Sequence, residues 1–574
     1  MIAARFTRIS ILAIAFVAMA ALVLGRLVYL QIIQHDYFSV LAAQTHSRKF
    51  EIEPQRGQIY IHDRGELVPI AMNRNLNLLY ADTRYIYDTE AAVDGLKQVL
   101  GEDYSDKLAT ADGYVVLEDE IDYNTAQEIL SLEVSGIGLS DQYRRVYPEG
   151  SLAAQVLGFV NHDGQGQYGI EGEFDELLKG SPGMYDIETD ANGVPIATSD
   201  NIQLEPTHGD DIVLTIDRNI QAKVESVLES SVDDMDARSG HAVIMDPNSG
   251  RILAMANYPT YDPNNYTEVD DYHRFINVTS SDLFEPGSGF KVFTMAAGLE
   301  AGVVDKDETF DDSSGLVRVA DAVIRNVGIP HSSSRSMTDI ITNSVNTGAV
   351  YVLEKFGGGE INVEARRGLY NYFANRFRLT EATGIEQPAE PNMSMVDPDS
   401  VGPVNYANIA FGQGIATTMV RMVASMAGII NGGDIYKPYL VDYRLGNNGE
   451  VAATEPEMMA ENIVSQETSE TIKEMMATVV TDGGGYTINW ALPNHTVAGK
   501  TGTAEIPSAD GGYLSGQYIG SFIGFAPVEE PKYLMMVRVD DPRTPGYAGS
   551  AAAAPIFAEI MEWLVRYGGV ERDR

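Results

Sequence analysis

"LFEPGSGFKVFTM", residues 283–295, sets a serine three residues before a lysine, behind Glu-Pro-Gly and at the mouth of an apolar run. Ser288 and Lys291 form the only Ser-x-x-Lys pair in the chain. Pro286 and Gly287 suit a turn, and Val292, Phe293, Met295 and Ala296 suit a buried helix behind it. Positions i and i+3 of a helix share a face, so the hydroxyl and the amine are expected to meet as a nucleophile beside its base. Spacing alone yields about one such pair by chance in a chain of this length. The pair gains its meaning from two companions.

Ser344-Val345-Asn346, in "ITNSVNTGAV", lies 56 residues after Ser288, and Lys500-Thr501-Gly502-Thr503, in "VAGKTGTAEIP", lies 156 residues after Ser344. Ser-x-x-Lys, Ser-Asp-Asn and Lys-Thr-Gly, in that order, are the active-site set of serine β-lactamases and penicillin-binding proteins. A literal Ser199-Asp200-Asn201 also occurs, but it precedes the nucleophile and reads as a polar loop. Ser344-Val345-Asn346 has the right order and is expected in a turn between helices.

Each residue type has a chemical reason. Ser288 is a poor nucleophile until its proton is removed, and a neutral Lys291 removes it. The lysine pKa of about 10.4 must fall for that, through burial or a neighbouring positive charge such as Lys500. Ser344 is placed to relay a proton to the leaving group, and the Asn346 amide to hold a substrate amide. Lys500, expected on an edge strand, faces a substrate carboxylate, which the Thr501 and Thr503 hydroxyls bind. Gly502 leaves room for substrate along the strand. Backbone N–H groups of Ser288 and Thr503 would form an oxyanion hole.

Composition bounds the rest. The 574 residues carry 40 basic and 82 acidic side chains, a net charge of −42 that argues against nucleic acid as a partner, since its phosphates would be repelled. The absence of cysteine excludes disulfides and thiolate metal sites. Ile9–Gly25 is uncharged over 17 residues, and the apolar character continues past Arg26. At ~1.5 Å per residue that run nearly spans a ~30 Å hydrocarbon core. Arg5 and Arg8 before it predict a cytoplasmic tail and an exported bulk. A cleaved signal peptide, with Ala18-Met19-Ala20 as the cleavage site, is the rival reading; continuation of the run through that site favours an anchor.

Residues 50 to about 207 read as a β-rich spacer, with Arg-Gly turns at 56–57 and 64–65 and a helical, acidic stretch at 91–130. From Asp211 a strand and a helix lead into a hairpin turning at residues 246–250. Helical stretches are expected from the nucleophile to about Gly433, then strands and a terminal helix. The expected fold is α/β (α+β) and multidomain, with the two ends of the catalytic domain sharing one sheet.

Beyond the three motifs, "GRLVYLQI", "RGQIYIHDRGEL", "TIDRNIQ", "DPNSGRILAMANYPTYDPN", "TGIEQPAE" and "FGQGIATT" closely resemble the class B penicillin-binding proteins over nearly the whole chain. "SFIGFAPVEEPKY" is more similar to the division branch than to the elongation branch. The resemblance implies a tail at 1–8, a transmembrane anchor at 9–31, a pedestal or dimerisation domain at 32–207, and a penicillin-binding transpeptidase domain of serine β-lactamase-like fold at 208–574. It implies a serine D,D-transpeptidase acting on peptidoglycan stem peptides, with β-lactams as inhibitors and no metal or organic cofactor. A membrane glycosyltransferase and division-complex proteins are the implied partners. A β-lactam-hydrolysing or sensing protein, or a non-catalytic division scaffold, are the alternatives. One departure from the family is Gly289, where Thr is usual.

The two candidate second motifs separate by mutation. Ser199→Ala should leave penicillin acylation unchanged, whereas Ser344→Ala should slow it by about 10²–10⁴-fold, as expected for lost proton transfer. Equal effects in a gel-based acylation time course would mean that Ser344 is the wrong choice.

Overall fold

The computed structural model describes residues 8–38, 47–111, 113–188, 202–393, 395–482, 495–508, 511–543, 549 and 551–572. Ser199-Asp200-Asn201 and most of the tail lie outside them. The chain divides into two units, Met1–Gln55 with Gly180–Gly209, and Arg56–Lys179 with Asp210–Arg574.

In the first unit the apolar run forms the helix Arg8–Val28, prolonged by a wider π-turn at Tyr29–Ile33. Ile9–Ile33, 25 residues of mean hydropathy 2.5, is long and apolar enough to cross a membrane. The same unit holds a three-stranded antiparallel sheet of Ser47–Ile52, Gly183–Glu188 and Ile202–Leu204.

In the second unit a seven-stranded sheet runs in the order Val451–Ala453, Val441–Leu445, Asp211–Asp217, Ile59–Asp63, Glu66–Asp82 and Tyr114–Ile121, with Ile137–Val146 also paired to Glu66–Asp82. It joins strands from both sides of residue 207. The expected turn at Arg64-Gly65 is present, both residues having positive φ. The one expected at Arg56-Gly57 is not. Residues 53–58 form an irregular connection, and Arg56 is buried against Glu171 at 2.7 Å and Asp175 at 2.6 Å. Arg145 meets the same Glu171 at 2.6 Å. A buried carboxylate shared by two guanidiniums fixes this connection, so the arginine that resembled a turn residue is an internal tie. The acidic stretch at 91–130 is only partly helical: Thr89–Leu100 and Tyr123–Leu130 flank the strand Tyr114–Ile121.

A five-stranded antiparallel sheet carries the catalytic motifs. Ser239–Met245 (β1) and Ile252–Tyr258 (β2) form the expected hairpin. Ala498–Pro507 (β3), Tyr513–Ala526 (β4) and Tyr533–Asp540 (β5) follow much later, giving the order β2-β1-β5-β4-β3. The two ends of this region do share one sheet, and β3 is its edge. The β1 and β5 side chains are buried almost throughout, because helices cover both faces. Arg218–Asp234 (α1) and the terminal helix Ala553–Tyr567 pack one face around Phe522, Val537, Phe557 and Ile560.

The other face joins the main core, where Lys291–Glu300 (α2) and Met419–Ile430 are buried nearly throughout. The region between the first two motifs is not all helical. Thr309–Asp312 pairs with Ser332–Ser336, and Leu316–Val319 pairs with Ala322–Arg325. These strands of four or five residues are too short to announce themselves by alternation.

Candidate active site

Ser288 lies in a 3₁₀ turn, Gly287–Phe290, which runs directly into α2 at Lys291. The tight entry depends on Gly287, whose φ is +53°; a β-carbon there would lie 2.3 Å from the Thr503 carbonyl oxygen. The turn is thereby pressed against the β3 backbone. Gly502 answers from the strand, where a β-carbon would stand 2.7 Å from Pro286 O and 2.3 Å from Ser521 Oγ. Glu285 ties the entry to its surroundings, accepting from the Gly414 N–H at 3.0 Å and the Tyr513 hydroxyl at 3.1 Å. Burial, with Glu505 nearby, raises the Glu285 pKa.

Lys291 is 1% exposed, and its Nζ lies 2.8 Å from Ser288 Oγ, 2.7 Å from Ser344 O and 3.1 Å from Ser344 Oγ. A neutral amine satisfies this set by donating two N–H groups to Ser344 and accepting the Ser288 hydroxyl proton on its lone pair. Burial, reinforced by the charge of Lys500, holds the Lys291 amine well below the ordinary lysine range. That is the state a base requires.

Ser344 sits between Met337–Thr342 and Asn346–Phe356, in the expected turn, at φ +56°. A non-glycine residue there is strained, and the surrounding contacts hold it in place. Asp312 is 2% exposed and binds Arg335 at 3.1 Å, Asn326 at 2.9 Å and the Thr347 hydroxyl at 2.8 Å. Asn326 Oδ1 accepts the Thr347 N–H at 3.0 Å. The Asn346 side chain donates to Arg325 O at 2.9 Å. Asp312, Asn326 and Arg335 thus brace the second motif. They were not foreseen, because nothing in their local sequence marks residues that act through a short hairpin.

Lys500 is also 1% exposed, with Nζ 3.1 Å from Thr501 O and 3.2 Å from Thr501 Oγ1, and burial lowers its pKa to about 7. Thr503 Oγ1 accepts the Gly549 N–H at 3.1 Å. Of the expected residues, Ser288, Ser344, Asn346, Thr501 and Thr503 line one cavity of about 510 Å³. Lys291, Lys500 and Gly502 stand behind that lining. Lys500 thus reaches the cavity only by way of Thr501 and is not a side chain exposed in it. Gly289 leaves a gap that the Met422 methyl fills: a β-carbon there would meet Met422 Cε at 2.9 Å.

Residues 240–562 match the penicillin binding protein transpeptidase domain, and residues 51–214 match the penicillin-binding protein dimerisation domain. The chain belongs to the class B penicillin-binding proteins. Among penicillin-binding relatives it is 32% identical to stage V sporulation protein D of Bacillus subtilis over 551 residues, 93% of this chain and 82% of that one. It is 28% identical to the peptidoglycan D,D-transpeptidase FtsI of Escherichia coli K12 over 563 residues, 96% and 90% of the two chains. The fold matches the crystal structure of penicillin binding protein 2X from Streptococcus thermophilus with a TM-score of 0.76, at 23% identity over 92% of this chain and 83% of that one. These kinships place this penicillin-binding protein in the division branch.

The buried Lys500 gives a pH-dependent signature. Between about pH 7 and the ordinary lysine value of 10.5, the unfolded chain binds this proton and the folded chain does not. Stability therefore rises with pH across that window. Lys500→Met should raise Tm most at pH 7 and below, and not at all near pH 10.5. Penicillin acylation should fall by about 10²-fold or more. A Tm gain of equal size at both pH values would contradict the assignment.

Proposed function

We propose that this chain is a peptidoglycan D,D-transpeptidase that crosslinks stem peptides during septal wall synthesis, with Ser288 as the acylated residue. The observation that carries this is the buried Lys291 amine 2.8 Å from Ser288 Oγ, itself held by the second motif. Ser288 Oγ attacks the carbonyl of the penultimate D-alanine, and its proton passes to Lys291. The N–H groups of Ser288 and Thr503 take the developing oxyanion charge. The peptide C–N bond breaks, and Ser344 relays a proton to the departing D-alanine amine. An amine of a second stem peptide then attacks the ester. Its C–N bond forms as the C–O bond to Ser288 breaks, and a proton returns to the serine. Thr501 and Thr503 hold the substrate carboxylate, under the field of Lys500, and Asn346 holds a substrate amide. β-Lactams acylate the same serine through their strained amide.

The proposed organisation is a short cytoplasmic tail at 1–8, an anchor at 9–31, a pedestal at 32–207 and an extracytoplasmic catalytic region at 208–574. A membrane glycosyltransferase and other division proteins are the proposed partners. A hydrolase of this fold needs a base that aims water at the acyl ester. Glu505 is the one carboxylate lining the cavity among the described residues, which makes the rival testable.

Full-length protein in detergent should form a penicilloyl adduct on Ser288 that persists for many minutes by intact-mass spectrometry once free penicillin is removed. Ser288→Ala should form none. Loss of the adduct within seconds, with Glu505→Gln trapping it, would establish a β-lactamase instead.

A further inference from the structure

The nucleophile turn and β3 meet through glycines. Gly287 and Gly502 let the two backbones touch, and such a contact stops them from coming closer without stopping them from parting. Something must also hold them together, because the oxyanion hole takes one N–H from each side, Ser288 from the turn and Thr503 from the strand. Glu285, three residues before Ser288, is the side chain placed to do so. Its half-buried carboxylate accepts the Tyr513 hydroxyl on both oxygens, at 3.1 and 3.3 Å, and the Gly414 N–H at 3.0 Å. Tyr513 opens β4, where it pairs with Pro507 at the end of β3. Gly414 belongs to a loop, residues 412–417, that also grips the approach to Ser288. Gly412 O accepts the Gly287 N–H at 3.0 Å, and Phe284 and Thr417 exchange two backbone hydrogen bonds at 3.0 Å. The Glu285 carboxylate thus joins that loop, the turn and the β3–β4 hairpin at one point. Burial and the nearby Glu505 both oppose its charge, and these donors offset that cost.

Resting on the transpeptidase reading, we propose that Glu285 is a positioning residue for the oxyanion hole. By tying the β3–β4 hairpin to the nucleophile turn, it fixes how far apart the Ser288 and Thr503 N–H groups stand. Neither Glu285 nor Tyr513 lines the cavity, so the pair acts on the reaction through the backbone and not by touching substrate. Formation and breakdown of the acyl ester both pass through an oxyanion, so a hole of the wrong width slows both steps. Binding of the substrate carboxylate by Thr501 and Thr503 depends on β3 alone and is spared. The tie needs hydrogen-bonding geometry at position 285 more than it needs charge. A glutamine there keeps a carbonyl oxygen for the Gly414 N–H and an amide that donates to the Tyr513 oxygen.

The test uses the full-length protein in detergent, with penicillin acylation followed by stopped flow over a range of drug concentrations. Glu285→Ala and Tyr513→Phe should each lower the limiting acylation rate by about tenfold, part of the loss expected for a missing oxyanion donor, and leave the dissociation constant of the initial complex unchanged. Glu285→Gln should recover most of the rate that Glu285→Ala loses. Tyr513→Phe should add nothing to Glu285→Ala, since the two groups act as one tie. In the penicilloyl-enzyme the ester carbonyl stretch, read by infrared difference spectroscopy with an isotope-labelled drug carbonyl, should move to higher frequency in both variants. Weaker hydrogen bonding to that oxygen requires it. A loosened fold would lower the Tm and the fraction acylated but would not shift that band. Tyr513 is exposed and loses only a hydroxyl, so its variant carries the test should Glu285→Ala not fold. A band left in place would overturn the proposal, as would additive losses in the double variant. Wild type that is acylated while both variants match it overturns this inference alone. Wild type that is never acylated overturns the transpeptidase reading itself.

Discussion

A lysine amine without water is the constraint around which this site is arranged. Lys291 is closed in by the main core, and its remaining partners are two serines and one carbonyl. In water the amine would be protonated and useless as a base at neutral pH. Burial and the second lysine behind β3 make the neutral form the favoured one. The arrangement costs stability twice, since Lys500 is buried as well. Such costs concentrate at functional sites, and the large packed sheet and helices around them supply the compensation.

The rest of the architecture holds three short motifs at that amine. The 3₁₀ entry presses Ser288 against an edge strand, whose outer side pairs with no other strand among the described residues. Ser344 is kept at a positive φ by hairpins that connect to it through Asp312, Asn326 and Thr347. The site thus has a rigid wall from the sheet and a braced wall from the helical region.

The motifs were legible because their spacing is local and their chemistry specific. Ser288 with Lys291, Ser344 in an inter-helix turn, and Lys500 on an edge strand all follow from short stretches read in order. The shared sheet was legible too, since apolar strands near both ends of the region left no other simple arrangement. What stayed hidden depends on distant partners. Arg56 looks like a turn residue until Glu171, more than a hundred positions away, claims it. The hairpins between the first two motifs carry too little alternation to register, and with them went Asp312, Asn326 and Arg335. Lys500 was expected to face the cavity, and only the folded strand places its amine behind Thr501. Gly289 departs from the family's usual Thr, and the Met422 methyl, from a helix more than 130 residues later, takes up its place.

The neutrality of Lys291 is tested most directly by the pH dependence of Ser288 acylation, followed by stopped flow from pH 5 to 10 with a fluorescent penicillin. In wild type the acid-side fall in rate should begin only far below the ordinary lysine pKa. In Lys500→Met the fall should begin at a higher pH, because removing a positive neighbour makes Lys291 easier to protonate. A wild-type acid-side fall that begins near the ordinary lysine pKa, or one that Lys500→Met leaves in place, would contradict the account.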